Sequence, residues 1–150
     1  MKTWIRAAMA LALTVSAGFA AADTPAEAKA MLAEAHALVV SKGLDGAAAD
    51  FNAGGKWKHP KAYVVLVNFD GGTLLAHADN PKLAGKSFLE ARDASGKAFV
   101  QETIANVKSS GESLVDYRWA NPTTKKIDNG HLMARRVPGK EAYVAVGYWE

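Results

Sequence analysis

The 150-residue sequence contains no cysteine. Disulfides, iron–sulfur clusters and thiolate zinc sites are therefore excluded. So are a cysteine-anchored lipoprotein start and a C-x-x-C-H haem attachment. An excess of one charge is missing too: 18 basic residues face 15 acidic ones, for a net charge of +3. A domain so near neutrality gives no electrostatic reason to expect nucleic acid. The familiar enzyme signatures are also missing, with no G-x-S-x-G, P-loop, H-E-x-x-H or G-x-G-x-x-G. The four histidines, at 36, 59, 77 and 131, lack the i, i+4 spacing of a helical metal pair. No metal, no cofactor and no catalytic residue is expected.

Only one long apolar run occurs, at the N-terminus. Lys2 and Arg6 precede an alanine-rich stretch over residues 7–22, and Ala20-Ala21-Ala22 offers small residues at a cleavage site. The run is shorter and less hydrophobic than the ~20 apolar residues that span a bilayer. Residues 1–22 are therefore expected to be a cleaved signal peptide, residues 23–150 one domain, and the location the periplasm. An exported chain without cysteine needs no oxidative folding. Removing Lys2 and Arg6 leaves 16 basic residues against 15 acidic ones, a balance of +1. No membrane span is expected after cleavage.

The chain is organised around residues 63–78. Val64, Val65, Leu66 and Val67 suit a strand buried on both faces. Asp70-Gly71-Gly72 supplies a tight turn, and the return strand is apolar apart from His77. A lone imidazole there is either a hydrogen-bonded core residue or part of a site. Upstream, Thr24-Pro25-Ala26-Glu27 reads as a helix start. Ala28, Met31, Leu32, Ala35, Leu38 and Val39 form one apolar stripe. Gly43 ends that helix, and a second, short one follows over residues 44–51. His36 and His59 read as solvated, and Trp57 as a plug onto the domain.

Downstream, residues 79–86 are turn-rich, with Leu83 and Phe88 tucked inward. Residues 93–97 make a turn into a helix whose stripe is Phe99, Val100, Thr103, Ile104 and Val107. Three strands finish the chain, over residues 113–120, 125–137 and 142–149, the second broken at Asp128-Asn129-Gly130. The last, apolar on both faces, is expected to be central. The fold class is α+β, an antiparallel sheet with helices to one side.

One polar constellation emerges. His77 lies on one strand, while Tyr117 and Trp119 share a face of another. Tyrosine and tryptophan combine an apolar wall with one polar tip, which suits a pocket for a small polar molecule. The same residues also suit a packed core.

Four motifs, in order, carry a resemblance. They are Tyr63-Val-Val-Leu-Val-Asn-Phe-Asp70 with Gly72-Thr-Leu-Leu-Ala-His77, then Asn80-Pro-Lys-Leu-Ala-Gly-Lys86, then Asp93-Ala-Ser-Gly-Lys-Ala-Phe99, and Asp116-Tyr-Arg-Trp-Ala-Asn-Pro122. Together they resemble the single Cache domain of the second type, an extracytoplasmic PAS-like sensor domain, over residues 24–149. The resemblance implies a curved antiparallel sheet of about five strands with a long N-terminal helix packed along it. It implies a small-molecule pocket on the sheet's other face, for a small organic acid or similar metabolite. It carries His77, Tyr117 and Trp119 to that pocket.

One departure stands out: the family's lysine and the aromatic three residues later fall on Gly130 and Met133. His131 or Arg135 is the candidate to replace the missing cation, and a neutral ligand is the alternative. The implied function is a free-standing sensory binding module, without enzymatic activity, read by a separate receptor, sensor kinase or transporter. Chemotaxis is the associated process. Two other readings remain: a periplasmic enzyme or metal/redox accessory using His77, and a structural domain plugged by Trp57, Phe88 and Met133.

Overall fold

The computed structural model describes residues 24–150, so the expected signal peptide lies outside the described residues. The long helix α1 covers Thr24–Asn52. Its apolar stripe buries Ala28, Leu32, Ala35 and Val39, and then Ala47 and Phe51. Within α1 the two helices expected around Gly43 run on from one another across a kink, where Gly43 leaves helical geometry at φ 79° and ψ 174°. Only glycine adopts that backbone without strain. A Lys42–Asp50 ion pair of 2.7 Å spans the bend. Trp57 plugs the domain as expected, edge-on to Phe51 with ring centroids 5.0 Å apart.

Six strands follow: β1 (Lys58–His59), β2 (Ala62–Asn68), β3 (Thr73–His77), β4 (Glu112–Ala120), β5 (Ile127–Arg136) and β6 (Ala142–Tyr148). The helix α2 (Phe99–Ser110) lies between β3 and β4. All pairings are antiparallel. The order is β1-β2-β6-β5-β4, and β3 also pairs with β2. The short β1 was expected to be loop. The strand β6 is central, between β2 and β5, and all seven of its residues are buried. Residues 70–72 close the β2–β3 hairpin as a single 3-10 turn. A Cβ at Gly72 would meet the Leu89 nitrogen and Val100 Cγ1 at 2.9 Å, so the hairpin's end is pressed against the loop and α2.

Register sorts the side chains. Val64 faces Val146 and Leu66 faces Val144 on one side, while Tyr63 pairs with Gly147 and Val65 with Ala145 on the other. Both sides of β2 and β6 are buried, so both need cover. The long helix α1 packs along β6, β3, β2 and β5. On the opposite face, α2 and the connection before it lie over β4, β5 and the hairpin end. The expectation of helices on one side is thus corrected. Burial of each large apolar side chain in such a core contributes roughly 1.5–3 kcal/mol.

A second correction concerns residues 128–130, which were expected to break the strand. They pair continuously: Asp128 with Trp119, Asn129 with Arg118 and Gly130 with Tyr117. Gly130 marks a close approach instead. A Cβ there would lie 2.7 Å from Trp149 Nε1.

Candidate functional site

The face opposite α1 carries a small, largely apolar cavity of about 50 Å³. Its floor is the sheet, with Tyr63, Val65, His77, Tyr117, Trp119 and Leu132, and its cover is Leu83, Phe88, Phe99 and Val100. Strand alternation produces the floor. Val65 pairs with His77 across β2–β3, so both point the same way as Tyr63, two residues earlier. Tyr117 and Trp119 are likewise two apart on β4. Three of the four candidate site residues, His77, Tyr117 and Trp119, therefore converge.

His77 is buried and held on three sides. Its ring lies against Tyr63, with centroids 4.6 Å apart. Its Nδ1 accepts the Asn80 N–H at 2.9 Å. Its own main-chain N–H donates to Asn52 Oδ1 at 3.0 Å. Burial lowers the imidazole pKa to about 4, against the opposing pull of the Asp79 carboxylate. The ring is thus neutral near pH 7, and with Nδ1 accepting, its proton sits on Nε2.

The hydroxyls of Tyr63 and Tyr117 pair with one another. Burial pushes both phenols above their ordinary range, and Tyr143 with them, so they stay protonated. Tyr117, Trp119 and Phe99 form an aromatic corner, with Phe99 5.1 Å and 5.0 Å from the other two ring centroids. Behind it lies Trp149, fully buried, 5.6 Å from Tyr63 and 6.1 Å from Tyr117. Among the described residues, its Nε1–H has no hydrogen-bond partner.

The fourth candidate, His131, is on the other face of the sheet. It alternates with Gly130, which lies under Trp149, and its ring stacks against Tyr148 at 4.9 Å. Its Nδ1 lies 2.6 Å from Asp116 Oδ1 and its Nε2 3.7 Å from Glu150 Oε1. It therefore does not line the cavity. Met133 and Arg135 share that face, so neither they nor His131 supplies a cation to the cavity, and Met133 does not plug it. Trp57 packs on the α1 side, so of the three expected plugs only Phe88 reaches the cavity.

The remaining histidines are satisfied elsewhere. His36 Nε2 is 2.9 Å from the Arg136 carbonyl oxygen, so it is bonded rather than merely solvated. His59 is exposed, 3.7 Å from Glu27. Among the described residues, no group of three or more His, Cys, Asp or Glu side chains is placed to hold a metal ion.

The turn before α2 is locked by Asp93. Its Oδ1 accepts the Ser95 and Lys97 N–H groups and the Ser95 hydroxyl, and its Oδ2 accepts the Arg118 N–H at 2.8 Å. Burial alone would raise its pKa. The four donors outweigh that and hold the carboxyl well below the usual range. The lock ties the cavity's cover to β4.

Sequence reasoning missed Tyr63, Phe99, Leu132 and Tyr143 as lining residues. Tyr63 carried a signal, being two positions before Val65 on the strand paired with His77.

A long helix along one face of an antiparallel sheet, with a loop-covered cavity on the other, defines a PAS-like α+β sensor fold. Within that class the chain belongs to the Cache domain family, whose model matches residues 26–149. The family expectation drawn from the four motifs is borne out.

Three solved structures share the fold. One, described as the structural basis for carboxylic acid recognition by a Cache chemosensory domain, gives a TM-score of 0.63 at 21% identity, covering 83% of this chain and 87% of that one. The periplasmic sensor domain of a chemotaxis protein gives 0.63 at 20% identity, covering 83% and 89%. A methyl-accepting chemotaxis protein from Vibrio parahaemolyticus gives 0.68 at 17% identity, covering 82% and 86%. No curated protein matches the chain. Among the described residues, no helix is long and apolar enough to cross a membrane.

Proposed function

We propose that the protein is a periplasmic sensory module, exported by a cleaved signal peptide over residues 1–22, that binds a small metabolite against the sheet. His77, Tyr117 and Trp119 contact the ligand. The observation that carries this reading is their convergence on one cavity, under the cover that Leu83 and Phe88 provide. Membership of the Cache family supports a sensory role. The likeness to a domain described as recognising carboxylic acids supports a small-molecule ligand. Signal transduction then runs through a separate receptor, sensor kinase or transporter.

The lining favours binding over catalysis. It holds no serine, threonine, lysine or carboxylate to act beside His77. The cavity's size argues that the cover moves. About 50 Å³ is well below the ~300–1,000 Å³ of ordinary ligand pockets. A metabolite is admitted when residues 79–88 lift from the sheet, and it is enclosed when they return.

A thermal-shift screen against carboxylates, amino acids, amides and purines tests this. The expected result is a rise in melting temperature with at least one compound that is lost in Trp119→Ala and His77→Ala. A rise that persists in both variants would place binding elsewhere. Stabilisation by none of them would favour the structural reading, with Phe88 filling the space.

A further inference from the structure

The charge pattern around the cavity is unusually one-sided. Along the cavity-facing side of the sheet, β4 presents Ser113, Val115, Tyr117 and Trp119, and β5 presents Gly130, Leu132 and Ala134. The central strand adds Tyr143, Ala145 and Gly147. None bears a charge. Asp128, at the β5 end of this face, is exposed and lies near the Asn121 amide. By register the nearest cation on this face is Lys58, paired with Tyr63 on the edge strand β1, but it is exposed and does not line the cavity. Arg136, beyond Tyr143, pairs with Glu141 at 3.0 Å and lies over Phe69. On the cover, Lys82 and Lys86 are exposed to solvent. The space beside Gly130 is taken by Trp149, so no side chain can enter from that position. The polar groups that remain are the neutral His77 ring, the Trp119 indole N–H and the hydroxyls of Tyr63, Tyr117 and Tyr143. The nearest carboxylate, Asp79 at the start of the cover, acts electrostatically on His77 and Tyr63.

An anion carried into such a site loses its hydration and finds no counter-charge. An uncharged molecule loses far less, and the ring and hydroxyls satisfy one polar group. Opening the cover enlarges the space without changing this, because the floor stays the same.

We propose that the cavity selects an uncharged small molecule, an apolar body carrying one polar group, over a carboxylate anion of the same shape. The inference rests on the binding reading above and adds the class of ligand. It departs from the organic-acid expectation: a carboxylate would be taken only in its protonated form.

Shape-matched pairs separate the two ideas. The protein is titrated at pH 7.5 with acetamide against acetate and propionamide against propionate, with ethylammonium as the cation. Tyr117 and Trp119 are followed by NMR. The expected result is that the amides shift both residues and bind at least about tenfold more tightly than the matching carboxylates. A carboxylate or ethylammonium that shifts them with equal or greater affinity overturns the inference and leaves the site reading standing. No shift with any of the five compounds overturns both.

Trp119→Lys supplies a second measurement, since Trp119 is only half-buried and a lysine there keeps its ammonium near solvent. Propionate affinity should rise at least about tenfold, because the missing partner has been provided. No gain in a folded variant would show that rejection has another cause and overturn the proposal. If the variant does not fold, the wild-type pairs decide alone.

Discussion

Asn52, the last residue of α1, grips the strand that carries His77. Its Oδ1 accepts the His77 N–H at 3.0 Å and its Nδ2 donates to the Leu75 carbonyl at 3.2 Å. One amide side chain thus makes both bonds to the outer edge of β3, joining the long helix on one face to the cavity residue on the other. A displacement of His77 would strain a bond made by the last residue of α1.

Asn52→Ala leaves both β3 groups without their partner. It should destabilise the fold by about 1–3 kcal/mol, read as a shift in urea midpoint. Asn52→Asp keeps the acceptor for His77 and loses the donor to Leu75, so it should fall between the two. In hydrogen exchange, a ligand that protects β3 should also protect residues 44–52 in the wild type, and less so in Asn52→Ala.

His77 should titrate far from an ordinary histidine. Its Hε1 resonance should move with a midpoint near pH 4 rather than 6.5, and its ¹⁵N shifts should report the Nε2–H tautomer. Between these values the unfolded chain holds the extra proton and the folded one does not. Stability therefore falls as pH drops through that window, by up to about 1.4 kcal/mol per unit. His77→Gln should flatten this part of the profile.

Asp93 acts in a lower range. Its folded pKa is depressed, so its contribution is present above the unfolded value near 4 and fades as pH falls through the folded one. Asp93→Ala should cost roughly 2–4 kcal/mol near neutrality, because the Arg118, Lys97 and Ser95 donors lose a charged acceptor. Urea melts between pH 2.5 and 7 should show that the variant lacks the wild-type loss in that acid range.

Gly130→Ala drives a methyl group into the Trp149 indole, 2.7 Å from Nε1. Trp149 is enclosed between Tyr63 and Tyr117 and cannot step aside cheaply. A cost of about 1–3 kcal/mol is expected, with a change in the Trp149 fluorescence emission. Alanine at Gly96 meets no atom within 4 Å but is strained by φ 86°, so its cost reports backbone strain without a clash.

Much of this was legible in the residues. The hairpin over residues 63–78, the buried stripe of α2 and the central place of β6 followed from apolar pattern and turn chemistry. So did the shared direction of Tyr117 and Trp119, since strand alternation is a local property. What alternation does not carry is which face a helix will cover. That is why α1 and α2 were expected together, and why His131 was expected beside His77. The run Val64-Val65-Leu66-Val67 is apolar on both sides, so by itself it does not mark Tyr63 and Val65 as the cavity pair; the pairing of Val65 with His77 does. Gly130 resembled a break because Asp128 and Asn129 precede it. Its reason, room for Trp149, is a contact with a residue nineteen positions on.

The place of β6 has one more result. Among the described residues, β2 and β5 are joined in the sheet only through it. Without residues 142–149 the sheet would divide into two ribbons, β1-β2-β3 and β4-β5, each with a bare apolar flank and bridged by the helices packed over them. Expressing the chain up to Lys140 and adding a synthetic peptide for the missing part is therefore a route to fragment complementation. The peptide would slot between the two halves and restore the floor of the cavity as it docked.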